Sequence, residues 1–235
     1  MRFYFGSPPA APPETGAIPG HPIRQPGRWT GSVLAASAGL LCMSVPVSVF
    51  ILHSAFHPEG YPASTIEKPP IPWGGIVVVM ILSVLAHELL HAVLHPDSGL
   101  SDSTVFFVQW TRLRFGVYYE GRIPRARWLA MRLLPMAVLT FLPVFFYFLV
   151  FPWMTFVLET YLVILILTNS LGSGGDLVAA VIVLRQVPPG GVLHFHRGRA
   201  YWEPPQGTTG ADRGYPGRRP TTINSGEPSS NGERS

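Results

Sequence analysis

The sequence has little cysteine, little charge and almost no lysine. Its one cysteine, Cys42, excludes an internal disulfide framework and a cysteine-rich zinc ribbon. Only 13% of the 235 residues are charged, whereas 47% are hydrophobic, and the mean hydropathy is positive. A water-soluble domain of this size rarely has this balance. We therefore expect most of the chain to lie in a lipid bilayer.

Four apolar stretches are each close to the roughly 20 residues that a helix needs to cross a hydrocarbon core. These stretches run over about 31–55, 73–94, 136–157 and 160–184. The flanking residues 1–30 and 205–235 are rich in Pro, Gly or small polar residues, so we expect two disordered tails. The predicted fold class is mainly α, with about four transmembrane helices in a membrane domain at 31–204.

The connection between the second and third spans contains a predicted β segment. Residues 105–119 (VFFVQWTRLRFGVYY) are β-branched and aromatic, and they alternate from Arg112 onward, which indicates a small cytoplasmic hairpin or sheet. Pro124 then suits the first turn of a helix at the membrane interface. The same alternation predicts a second strand pair around 192–203.

The distribution of arginine predicts the orientation in the membrane. Basic residues precede the first span, fill the connection between the second and third spans, and follow the fourth, whereas residues 56–72 contain only Lys68. Because basic connections stay on the cytoplasmic side, we expect a multi-pass protein of the cell membrane with both termini in the cytoplasm. The arginines form no single stripe, so the net charge of +4 does not indicate a nucleic-acid partner.

The second span contains the motif HELLH at residues 87–91. On a helix, His87 and His91 share one face, and both imidazoles can reach one zinc ion at roughly 2.0–2.1 Å. Glu88 would lie beside the open position where water binds, as a general base does. A histidine pair can also simply cap the end of a helix. Ionisable residues are costly inside an apolar span, which favours a functional site.

A hydrolytic zinc site needs a third protein ligand. His95 is one candidate, but it would lie roughly 12 Å from His87 on an unbroken helix, so we expect a surface histidine at the membrane boundary. Asp176 is favoured because it is a lone acid among small residues of the fourth apolar run. His87 and Asp176 also lie at similar depths, roughly 21 and 24 Å into their spans. The choice between Asp176 and His95 stays open.

Asn169 lies seven residues before Asp176, on nearly the same face of the predicted helix. Its amide could orient a substrate carbonyl or the Asp176 carboxylate. It could equally form an interhelical hydrogen bond without a catalytic role. The glycines between the two residues favour close helix packing or local unwinding.

These features together resemble a known family. HELLH in a transmembrane helix, an aromatic β segment followed by IPRAR and Leu-Pro, and a late NSLGSGGD are similar to the bacterial "putative zincin peptidase" membrane family, over about residues 75–204. More distantly, they resemble site-2 proteases, although there a Gly follows the Asp whereas here glycines precede it. The resemblance implies the zinc ligands His87, His91 and Asp176, the general base Glu88 and the auxiliary catalytic residue Asn169.

The expected function is a zinc-dependent intramembrane or juxtamembrane metalloprotease, in which Glu88 deprotonates a zinc-bound water that attacks a peptide carbonyl. The substrate would be a membrane protein or peptide, held along an edge of the 105–119 strands. Two alternatives remain open. One is a non-catalytic zinc-binding interaction or sensor protein, and the other is a metal-free protein whose His87, Glu88 and Asp176 relay protons.

Overall fold

The computed structural model describes residues 1–5, 20–56, 71–109, 114–150, 155–196 and 199–205. The helices are α1 (Arg28–Phe56), α2 (Trp73–Val93), α3 (Arg125–Met136), α4 (Leu142–Val150), α5 (Phe156–Gly172) and α6 (Gly174–Gln186). The strands are β1 (Arg2–Phe5), β2 (His21–Pro22), β3 (Thr104–Gln109), β4 (Arg114–Tyr119), β5 (Ile123–Pro124), β6 (Val192–His196) and β7 (Arg199–Glu203). The predicted mainly helical class is confirmed.

Four helical stretches of the described residues are long and apolar enough to cross a membrane, as the sequence predicts. These stretches are Arg28–His53, Trp73–Val93, Arg125–Leu149 and Phe156–Gln186. Large apolar side chains cover their outer surfaces; Leu41, Leu82 and Phe145 are 67%, 57% and 61% exposed. Such surfaces suit lipid rather than water.

The third and fourth stretches differ from their predicted bounds. The third begins at Arg125 instead of 136, because the predicted interfacial helix α3 continues into the span through a π turn at Ala137–Phe141. The fourth is two helices joined at Ser173. A side chain at Gly174 would collide with the backbone of α1 at Ala35 and Gly39, so the small residues allow α1 and α6 to pack closely.

Two small sheets lie beside the helices. The predicted hairpin forms from β3 and β4, with β1 parallel to the other side of β3, so β4 ends this three-stranded sheet. The second predicted pair forms from β6 and β7, in a four-stranded sheet of order β2-β7-β6-β5. The tip of the first hairpin, 110–113, lies outside the described residues.

The prediction of a disordered tail at 1–30 is wrong for the parts of it that are described. Residues 2–5 form β1, residues 21–22 form β2, and Ile23 is buried in the core. The Pro and Gly content of this segment does not indicate strands. Both strands form because they pair with strands far along the chain, β1 with β3 and β2 with β7. Residues 6–19 lie outside the described part, and so does the predicted second tail apart from residue 205.

Helix α3 packs against α2, α6 and the four-stranded sheet. Its Trp128 and Met131 are buried against α6 and the four-stranded sheet. At its first turn, the Arg127 guanidinium donates to the carbonyls of Leu94 and His95, at 2.6 and 2.9 Å, just beyond the end of α2. Carbonyls at a helix end lack helical donors, so this contact stabilises the end of the helix that carries HELLH.

Candidate metal centre

The structure brings three predicted ligands together on two helices. His87 and His91 face inward from α2, and Asp176 lies in the first turn of α6. One ligand atom from each lies within 4.8 Å of the other two, and all three side chains are buried. Asp176 Oδ2 is 2.9 Å from His87 Nε2 and 3.3 Å from His91 Nε2.

The break at Ser173 explains how Asp176 reaches the histidines. Ser173 lies between α5 and α6, and its backbone N–H and its hydroxyl both donate to the Asn169 carbonyl, at 2.9 and 2.8 Å. A new helix begins at Gly174, where no side chain separates it from α1. Asp176 therefore occupies a helix N-terminus, where backbone N–H groups favour a carboxylate.

Asn169 orients His87. Its amide nitrogen donates to the Pro135 carbonyl at 3.1 Å and to the Thr140 hydroxyl at 2.9 Å. A carbonyl only accepts, so the amide oxygen must face the other way, where it lies 2.8 Å from His87 Nδ1. His87 therefore carries a proton on Nδ1, and its Nε2 faces Asp176.

These contacts exclude two of the roles predicted for Asn169, contact with a substrate carbonyl and contact with Asp176, in this structure. Both amide protons and the amide oxygen are used within the protein, so the side chain contacts His87 and neither Asp176 nor a free substrate position. The hydrogen bonds continue beyond Thr140. Its hydroxyl lies 3.1 Å from the Ser170 hydroxyl, which donates to the Ile166 carbonyl. Asn169 is a positioning residue in this structure.

His91 is oriented by a backbone carbonyl. Its Nδ1 lies 2.8 Å from the carbonyl oxygen of Met131 in α3. Because that oxygen only accepts, Nδ1 carries a proton, and Nε2 faces Asp176. Histidines that bind a metal through Nε2 are commonly held in this way through Nδ1.

The donor set fits a zinc ion. Two imidazole nitrogens and one carboxylate oxygen converge, and these three atoms can share one bound cation. Protonating both imidazoles instead would place two cations and the Arg132 guanidinium around one carboxylate, inside apolar helices. Two imidazoles and a carboxylate are the usual ligand types of a catalytic zinc site with one position left to water.

Arg132 also contacts the cluster, although the sequence alone indicates no role for it beyond that of a basic residue after the second span. Its guanidinium donates to Asp176 Oδ1 at 2.8 Å, which leaves Oδ2 for the histidines. The indole of Trp128 lies 5.2 Å from the guanidinium carbon and covers one face of it. The only signal in the sequence was the spacing of one helical turn between these two residues on an amphipathic segment.

Glu88 lies beside the cluster but points to the hairpin. Its Oε2 accepts a hydrogen bond from the backbone N–H of Val117 at 3.0 Å, and its side chain is partly buried. Val117 pairs with Phe106 of β3, yet its N–H points away from β3. The predicted base therefore touches the outer edge of β4.

His95 does not join the ligands, and the prediction of a surface histidine is also wrong. Its side chain is completely buried, because the hairpin covers it: Nδ1 lies 3.2 Å from the Thr104 hydroxyl and its ring 5.4 Å from that of Tyr119. Burial lowers the pKa of His95 to about 4, helped by the nearby His91 and arginines. It is a neutral histidine of the core.

Comparison with known proteins supports the resemblance inferred from the motifs. Residues 80–191 match the model of a family described as "Putative zincin peptidase". The matched range contains the whole of HELLH, the hairpin, α3 and Asp176. No curated protein and no solved structure gives a significant match.

Proposed function

We propose that this chain is a zinc-dependent metallopeptidase that hydrolyses a peptide bond within or next to the membrane. The observation that carries the proposal is the convergence of His87 Nε2, His91 Nε2 and Asp176 Oδ2, with Glu88 beside them. The family match supports a zinc peptidase.

His87, His91 and Asp176 would hold the zinc ion, which when bound supplies a Lewis acid that activates water and polarises a carbonyl. Asn169 and Met131 hold the two imidazoles in the tautomer that this requires. Arg132 offsets the charge of Asp176 and leaves one oxygen free.

Glu88 is the proposed general base. A carboxylate one residue after a histidine ligand projects to the side of the cluster, where it can accept a proton from water and return it to the leaving amine. Its present partner is the backbone N–H of Val117, and a substrate carbonyl could replace Glu88 as the acceptor of this hydrogen bond.

The outer edge of β4 is the proposed position for the substrate backbone. No strand follows β4 in its sheet as described, and Val117 directs its N–H from this edge to Glu88. An extended peptide that pairs with this edge would pass beside Glu88 and the ligands. Inside a membrane such pairing also satisfies backbone groups that lipid cannot.

Glu88→Gln tests the proposal. The amide keeps the size of the side chain but cannot accept the proton, so cleavage of a co-expressed membrane substrate should be lost while zinc content stays near the wild-type value. Glu120→Gln, at an exposed ion pair with Arg2, is the matched control and should cleave normally. Unchanged cleavage by Glu88→Gln contradicts the mechanism. Bound zinc without cleavage by the wild type, across a panel of membrane substrates, indicates the non-catalytic alternative.

We also infer a multi-pass cell-membrane protein with both termini in the cytoplasm. The four apolar stretches support it, and so do Arg122, which lies between the second and third of them, and Arg125 and Arg127, which lie in the first turn of the third. Reporter fusions at residues 1 and 235 test it, since both should report the cytoplasm and an external signal from either would contradict it.

A further inference from the structure

We propose that Pro135 is a positioning residue of the metal centre, which sets the tautomer of His91 through the Met131 carbonyl. The inference rests on the proposed zinc site but not on proteolysis. Its basis is the position of a buried proline four residues after the carbonyl that holds a ligand.

The proline removes the normal partner of that carbonyl. In an α-helix the carbonyl of residue 131 accepts from the N–H of residue 135, but α3 has Pro135 there, and proline has no N–H. The proline ring also collides with the carbonyl of the residue four positions earlier and tilts it away from the helix axis. Both effects direct the Met131 carbonyl outward.

The neighbour that it meets is His91. Met131 and His91 are 5% and 4% exposed, and they lie between helices, so water is a poor substitute for either partner. The His91 Nδ1–H therefore satisfies the Met131 carbonyl at 2.8 Å, and the carbonyl in turn holds the proton on Nδ1. Nε2 is then left as the ligand atom.

The same region of α3 also orients the second histidine. The Pro135 carbonyl accepts from Asn169, whose amide oxygen faces His87 Nδ1. The π turn that follows carries Thr140, the other acceptor of the Asn169 amide. The irregular part of α3 thus supplies partners to the outer nitrogens of both imidazoles, directly for His91 and through Asn169 for His87.

Pro135→Ala tests the inference because alanine restores an N–H at position 135 and removes the ring. The restored N–H competes for the Met131 carbonyl, so His91 should populate the Nε2–H tautomer. Pro46→Ala is the matched control, since Pro46 is also a buried proline inside an apolar helix, α1, which carries none of the three ligands.

Two measurements read out the result on the full chain in detergent. Nitrogen-15 NMR of histidine-labelled, zinc-free protein should show His91 as the Nδ1–H tautomer in the wild type and Pro46→Ala, and as a mixture in Pro135→Ala. The zinc Kd, from competition with a chelator, should rise by about 10- to 100-fold in Pro135→Ala and stay within about twofold in Pro46→Ala.

Other outcomes overturn the inference. They are a wild-type His91 that carries its proton on Nε2, a Pro135→Ala protein with wild-type tautomer and Kd, and an equal loss of affinity in Pro46→Ala. If the wild type binds no zinc, the proposed function fails, while the tautomers of the zinc-free protein still decide the role of Pro135.

Discussion

Glu88 Oε2 accepts a hydrogen bond from the backbone N–H of Val117, 3.0 Å away on the outer edge of β4. The group proposed to remove a proton from water is therefore linked to the strand proposed to hold the substrate. A peptide that pairs with β4 would take the Val117 N–H and leave the Glu88 carboxylate to water.

Val117→Pro separates these two roles. Proline removes the N–H that points away from β3 and now donates to Glu88, at a place where an edge strand tolerates proline. We expect the KM for a peptide substrate to rise by about two- to tenfold, as loss of a strand-pairing hydrogen bond predicts, with zinc content unchanged. Val117→Ala, which keeps the N–H, should behave as the wild type, and equal effects of the two variants would exclude the backbone role.

Asn169→Leu removes the partner of the His87 Nδ1–H and leaves the Pro135 carbonyl without its donor. Zinc affinity should fall by about 10- to 100-fold, the usual effect of losing a group that holds a metal-binding histidine. Thr140→Val removes only one of the two acceptors of the amide, so its effect should be smaller. Chelator competition measures both, and a Thr140→Val effect as large as that of Asn169→Leu would contradict this role.

Arg132→Gln leaves Asp176 without its ion-pair partner. The zinc-free protein should lose stability, since removal of one member of a buried pair costs about 3–5 kcal/mol, an upper figure here because the arginine side chain is 30% exposed. A bound zinc ion would replace the missing positive charge. Zinc should therefore raise the Tm of Arg132→Gln more than that of the wild type.

The matched control for that prediction is Arg122→Gln, which loses an ion pair with Glu203 at a position where the arginine is 55% exposed. Its Tm should change little, with or without zinc. If zinc raises the Tm of Arg132→Gln no more than that of the wild type, Arg132 does not offset the charge of Asp176 in the zinc-free protein.

His95 predicts a pH dependence of stability. Burial lowers its pKa to about 4 in the folded protein, from an ordinary value near 6.5. As the pH falls from about 6.5 to 4, the unfolded chain takes up a proton that the folded protein does not, so stability decreases over this window. Thermal unfolding of His95→Gln should show a flatter slope of stability against pH in this window than the wild type. An unchanged slope in His95→Gln would show that another group is responsible.

Local sequence patterns were enough to predict the apolar helices and the three proposed ligands, His87, His91 and Asp176. The spacing of His87 and His91 by four residues places them on one helical face whatever the fold, and the similar depth of Asp176 follows from span lengths alone. The pairs β3–β4 and β6–β7 were also predicted, since alternation of apolar and polar residues is a local signal.

The rest depends on contacts between distant segments. Whether His95 lies at the surface is decided by the hairpin that folds over it, and β1 forms because β3, about 100 residues later, offers an edge. Residue patterns likewise do not show that a backbone carbonyl such as that of Met131 is free to hold a ligand. That follows only when α3 is packed against α2 and the chemistry of Pro135 is considered.

The most direct test of the account is the zinc content and coordination of the purified wild-type protein. Metal analysis with zinc K-edge X-ray absorption should show one zinc per chain, two imidazoles at roughly 2.0–2.1 Å, oxygen in the remaining positions and no sulfur. Asp176→Asn should lose affinity while His95→Gln keeps it. Absence of zinc from the wild type, a sulfur ligand, or equal zinc binding after loss of His87 and His91 would contradict the account.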